Sequence, residues 1–105
     1  MNVEIIFEWD EVKRQKNIKE RGLDILAIAP LVFEDQNVVI EQDNRWNYTE
    51  KRFRDFAIVE EKRVCLCFTP RNEKMHLITV FRVRAKQWEK FYERKNRSRN
   101  QRPKG

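Results

Sequence analysis

The sequence predicts an α+β fold: one antiparallel sheet with two N-terminal helices and one C-terminal helix packed on it. Three observations lead there. Two capped helical periods follow a short aromatic alternation near the N-terminus. Three strand-like runs between Arg52 and Arg82 are separated only by short polar turns, the pattern of an antiparallel meander. A helical stripe of Val83, Gln87, Trp88, Phe91 and Tyr92 closes the chain's apolar pattern. With 105 residues there is room for one domain. It is expected over 1–95, with 96–105 as a basic tail.

The first strand is read from Val3, Ile5, Phe7 and Trp9, which alternate with Glu4, Ile6, Glu8 and Asp10. Asp10 is placed to cap a helix that runs to Arg21, where Gly22 stops it. Asp24 caps a second helix, whose Ile25, Ile28, Ala29, Val32 and Phe33 make one apolar face. Pro30 removes a backbone donor there, so a kink or an early end is expected. Val38, Val39 and Ile40 start a strand that fades into a polar loop carrying Trp46 and Tyr48. In the strand from Arg52 to Val59, Arg52, Arg54, Phe56 and Ile58 share a face. Val64 to Phe68 is nearly all apolar, which points to a central strand. In the last strand, regular alternation sets Leu77, Thr79 and Phe81 against His76, Ile78, Val80 and Arg82.

The formal charge is +6, and its location matters more than its size. Residues 90–105 hold seven Lys or Arg against the single acid Glu93, so the whole excess sits at the C-terminus. Two readings stay open: an arm that binds nucleic acid by releasing counterions, or a solvated tail that frays. No apolar run approaches the roughly 18 residues of a membrane span. The first ten residues carry acid where a signal peptide carries base. A cytoplasmic protein without membrane contact is therefore expected.

Most catalytic constellations are missing. Cys65 and Cys67 sit two apart in an apolar strand and read as a small buried pair. With one His and no further Cys, a zinc site lacks ligands, so neither metal nor cofactor is expected. Two glycines cannot build a phosphate loop. His76 is the single histidine, and the last strand gives it a structural place as readily as a chemical one. What remains is arginine shown from a sheet. Arg52, Arg54, Arg71, Arg82 and Arg84 lie in or beside the meander, where adjacent strands bring side chains within about 5 Å. Converging guanidinium groups fit phosphate, because the planar fork binds it bidentately. Arg and Lys can also stabilise the dianion formed when a 2′-hydroxyl attacks its own phosphate. The plainer alternative is that each Arg pairs with a nearby acid, for example Arg54 with Asp43 or Glu50.

Several of these residues together resemble a family. Phe7-Glu8-Trp9-Asp10 followed by Lys13, Asn17 and Gly22 is similar to the FEWD opening of the BrnT toxins. Val32-Phe33-Glu34-Asp35, Glu50-Lys51-Arg52-Phe53, Phe68-Thr69-Pro70-Arg71 and Ile78-Thr79 resemble its later steps, over about residues 7–92. The resemblance implies a RelE-like fold and a ribonuclease toxin of a type II toxin–antitoxin system that inhibits translation by cutting RNA without a metal. It also implies a cognate BrnA-like antitoxin, through which alone operator DNA would be contacted. It assigns Arg52 and Arg71 to the site. Two positions depart. Glu20-Arg21 stands where the family has Lys-His, and Phe81 stands where an arginine is expected, with Arg82 one residue along.

The expectation is therefore Arg52, Arg71 and Arg82 as catalytic groups, with Arg54, Arg84, Lys19 and Arg21 binding RNA. The alternative is a nucleic-acid or antitoxin-binding module that has lost activity. Trp46 and Tyr48 either fold back on the sheet or anchor a contact with RNA or antitoxin.

Overall fold

Capping fixes the helices. In the computed structural model, which describes residues 4–93, the Asp10 carboxylate accepts from the backbone N–H of Lys13 at 3.2 Å. Helix α1 (Glu11–Arg21) then runs until Gly22, whose φ of 67° lets its N–H turn back to the Ile18 carbonyl. The Asp24 carboxylate accepts from Leu26 at 3.0 Å and starts α2 (Ile25–Glu34). Pro30 lies inside α2 and does not end it. It denies Leu26 one helical partner. The burial of Ile28, Ala29 and Val32 on the sheet holds the helix together through that gap.

The sheet has five strands: β1 (Ile6–Glu8), β2 (Val39–Gln42), β3 (Phe53–Val59), β4 (Lys62–Arg71) and β5 (Lys74–Arg82), in the order β1-β5-β4-β3-β2. The meander expected from Arg52 onward is present, and β4 and β5 run longer than the apolar pattern indicates. Both hairpins turn on two residues with positive φ, Glu60-Glu61 and Asn72-Glu73. That geometry matches strand twist, and it arises here without glycine. Strand β1 is the exception to antiparallel pairing. It lies parallel to β5, with Phe7 beside Met75 and Glu8 beside His76.

Two apolar layers cover the sheet. On one face α2 packs over Ala57, Val59, Val64, Leu66, Phe68, Leu77 and Val80. On the other, Val39, Phe56, Cys65 and Cys67 meet Val83, Trp88 and Tyr92. Val83 precedes α3 (Ala85–Trp88), which supplies Trp88, and Tyr92 comes from the π-helical turn Glu89–Glu93 that continues it. The Trp88 and Tyr92 rings stack at 4.0 Å. The two cysteines are free, buried and on one face, as their spacing requires. The basic residues beyond Glu93 lie outside the described residues.

One irregularity rearranges a strand. Cys67 pairs with Thr79 while Phe68 pairs with Leu77, so Ile78 is an extra residue in β5. A bulge of this kind reverses the alternation beyond it. Leu77 and Val80 therefore share the α2 face, and Phe81 joins the opposite layer beside Cys65. Arg82 pairs with Val64, a residue of the α2 layer. The regular alternation read from the sequence is thus corrected from Thr79 onward.

Candidate active site

On the face opposite α2, the edge formed by β1, β5 and β4 is left uncovered by α3. A groove of about 260 Å³ opens there. Its floor is Thr69 of β4 and His76 of β5, which are register partners, with Ile78 beside them. Lys13, from the first turn of α1, forms one wall. Tyr48, Glu50 and Arg52, from the segment leading into β3, form the other, and Arg71 at the end of β4 closes the groove.

The arginines are held differently. The Arg52 guanidinium lies over the Tyr48 ring at 4.2 Å and forms no ion pair among the described residues. Arg71 donates to Glu50 twice, Nε to Oε2 at 2.9 Å and Nη2 to Oε1 at 2.7 Å. Its Nη1 also lies 3.5 Å from Glu8 Oε1. The Arg71 guanidinium beside Glu50 holds that carboxyl below its usual range. Glu8 reaches the site because β1 places it beside His76: its Oε1 is 3.3 Å from His76 Nδ1. Both of these atoms are buried, and neither has a well-directed hydrogen bond.

The remaining expected site residues lie elsewhere. Arg54 is two residues from Arg52 on the same face but is buried, 3.9 Å from Glu41 and beneath the Phe91 ring at 4.9 Å. Its nearest acid is Glu41 rather than Glu50, and its charge also helps to lower the Asp43 carboxyl. Asp43 accepts its side-chain hydrogen bonds from Arg45, whose guanidinium is the main cause that holds the carboxyl well below the usual range. Arg82 does not line the groove: it pairs with Val64, five residues along β4 from Thr69, and the bulge at Ile78 turns it to the other face. Arg84 is the exposed residue that opens α3. Lys19 is exposed in the last turn of α1. Arg21 donates to the Val80 carbonyl at 2.9 Å and to Thr79 Oγ1 at 3.1 Å, so it ties α1 to β5.

Sequence reasoning missed as site residues three that line the groove, Lys13, Glu50 and His76, and Glu8, which stands behind His76. Glu8, Lys13 and Glu50 stand in the resembling motifs, whereas His76 carries no motif and is revealed only by the β1–β5 pairing. Trp46 is 74% exposed in the loop beside the groove, while Tyr48 is half-buried beneath Arg52. Among the described residues no three His, Cys, Asp or Glu side chains gather to hold a metal ion. No described helix is long and apolar enough to cross a membrane.

An arginine fork, a second arginine held over an aromatic ring and a lysine around one small groove suit a phosphate diester. Comparison with curated proteins and with solved structures returns no match. The family model described as the ribonuclease toxin BrnT of type II toxin–antitoxin systems matches residues 9–87. That match covers most of the chain, including Lys13, Arg52, Arg71 and His76, and the chain belongs to the BrnT family of ribonuclease toxins.

Proposed function

We propose that the chain is a metal-independent endoribonuclease that stops translation in the cytoplasm, with Arg52 and Arg71 gripping the phosphate at the cut. The observation that carries this reading is the convergence of Arg52, Arg71 and Lys13 on one groove. Arg52, with no carboxylate paired to it among the described residues, is ready for an anion. Three cations around a phosphate stabilise the dianionic transition state more than the ground state, which is the requirement for catalysis. Trp46, exposed beside the groove, offers a ring on which a base can stack. A BrnA-like antitoxin is the partner, neutralising the toxin and carrying any contact with operator DNA.

The test is expression with and without antitoxin, followed by assay of the purified chain on RNA in excess chelator. Growth arrest with RNA fragmentation, and cleavage in chelator that Arg52→Ala lowers at least about 100-fold, supports the reading. Unaffected growth with intact RNA overturns it. A second reading is favoured by one observation: Phe81 and Arg82 contribute no cation to the groove. On that reading the chain binds RNA or antitoxin without cutting, and the same assay shows binding without fragments.

A further inference from the structure

Metal-free cleavage of RNA by its own 2′-hydroxyl needs a group to take the hydroxyl proton. Arg52, Arg71 and Lys13 are cations and serve charge rather than proton removal. Glu50 is occupied by the Arg71 fork. His76 is different. Its ring lines the groove and its side chain is 29% exposed, yet its Nδ1 atom is buried. The exposed part of the ring is therefore the edge away from Nδ1. Behind the ring, Glu8 Oε1 stands 3.3 Å from Nδ1 and 3.5 Å from Arg71 Nη1, without a well-directed hydrogen bond to either.

A carboxylate at one ring nitrogen and open space at the other is how an imidazole is oriented as a base. The carboxylate fixes the N–H on Nδ1 and leaves Nε2 with its lone pair toward substrate. Such bonds are commonly long in an empty site and shorten when substrate fills it. The backbone supports the arrangement, because Glu8 and His76 are register partners of β1 and β5.

We propose that His76 is the general base of the cleavage reaction and that Glu8 is its positioning residue. The proposal rests on the ribonuclease reading given above. Nε2 of His76 takes the proton of the 2′-hydroxyl, and the freed oxygen forms a bond to the adjacent phosphorus. The bond from phosphorus to the 5′-oxygen breaks, and that oxygen takes a proton from water in the open groove. The resulting hydroxide is neutralised by the imidazolium proton. The products are a 2′,3′-cyclic phosphate and a 5′-hydroxyl, with no metal and no oxidant. The charged groups that face His76 are Glu8 from β1, Lys13 from α1, Arg71 from β4, and Glu50 and Arg52 from the segment before β3.

The experiment uses the full chain, its His76→Gln and Glu8→Gln variants, and a single-stranded RNA, in excess chelator. kcat and KM are measured from pH 5 to 9, with RNA binding and thermal unfolding recorded on the same samples. His76→Gln is expected to lower kcat about 100-fold or more with KM changed only severalfold. It should also abolish the fall of kcat on the acid side. Glu8→Gln should lower kcat about tenfold or more with KM changed only severalfold, because the imidazole loses the carboxylate that orients its ring. A folded His76→Gln protein that cuts at the wild-type kcat overturns the proposal alone. A folded Glu8→Gln protein that cuts at the wild-type kcat overturns the assignment of Glu8, and it carries the test if His76→Gln fails to fold. An RNA substrate with a single 2′-deoxy position at the cut should be inert, and its cleavage overturns the proposal. No cleavage by the wild-type chain overturns the ribonuclease reading itself.

Discussion

Arg71 and Glu50 form a two-bond fork at the mouth of the groove, with the Arg71 Nη2 to Glu50 Oε1 distance at 2.7 Å. The two parallel bonds use the same face of the guanidinium that a phosphate would take. A carboxylate in that place competes with RNA. It also holds a solvent-facing arginine in one orientation.

Glu50→Gln should therefore raise affinity for RNA. The pair is exposed, and such pairs are weak, so the gain is expected to be about two- to fivefold rather than orders of magnitude. Titration of a labelled single-stranded RNA at fixed salt measures it. Tighter binding with an unchanged unfolding temperature fits a competitor, and weaker binding would show that Glu50 positions Arg71 instead.

Much of this was legible in the chain and some was not, for physical reasons. Asp10, Gly22 and Asp24 announce helix ends because caps act within a few residues. The meander is equally local, and it brings Arg52 and Arg71 to one place. The β1–β5 pairing joins residues almost seventy apart, and no local pattern records it. The site carboxylate Glu8 was hidden with it. The bulge at Ile78 carries neither Gly nor Pro, so regular alternation placed Arg82 on the wrong face. The charge of Arg54 reads as available in the sequence, but the ring of Phe91 covers it.

Asp55 should make the fold less stable as pH rises. It lies in β3 opposite Leu66, fully buried on the α2 side, with Oδ1 unpartnered. Burial pushes its carboxyl up to about 7, against about 3.9 in an unfolded chain. Between those values the unfolded state releases a proton that the folded state keeps. Stability therefore falls from about pH 4 to about pH 7, by on the order of 4 kcal/mol at most. Glu11, Asp24 and Asp43 are shifted downward and act in the opposite sense, but only at more acid pH. Asp55→Asn should flatten the decline and raise the unfolding temperature at pH 7.5 by at least about 5 °C. Denaturant unfolding at pH 5, 6, 7 and 8 checks it, and parallel curves for the two proteins would refute it.

Arg21→Ala should separate structure from substrate binding. The side chain donates to the Val80 carbonyl and to Thr79 at the bulge, so it fastens the end of α1 to the edge of β5. Its loss leaves that carbonyl without its charged donor, and a fall in unfolding temperature of about 3–8 °C is expected. RNA affinity should stay within about twofold. A large loss of affinity with unchanged stability would place Arg21 in the RNA path.

The basic tail is the last question, and salt dependence answers it. Trp88 and Tyr92 are both buried, and their stacked rings fasten the last described turn to the sheet. Residues 96–105 carry Arg97, Arg99, Arg102 and Lys104 and no apolar side chain besides Pro103. Deleting them should therefore leave the unfolding temperature unchanged. Each phosphate the tail neutralises adds about 0.7 to the slope of log affinity against log salt for single strands. Four contacts would add about 3, and deletion should flatten the slope by up to that amount. Cleavage at saturating RNA should persist, because Arg52, Arg71 and His76 lie in the groove and not in the tail. A slope that deletion does not change would show that the tail meets solvent rather than RNA.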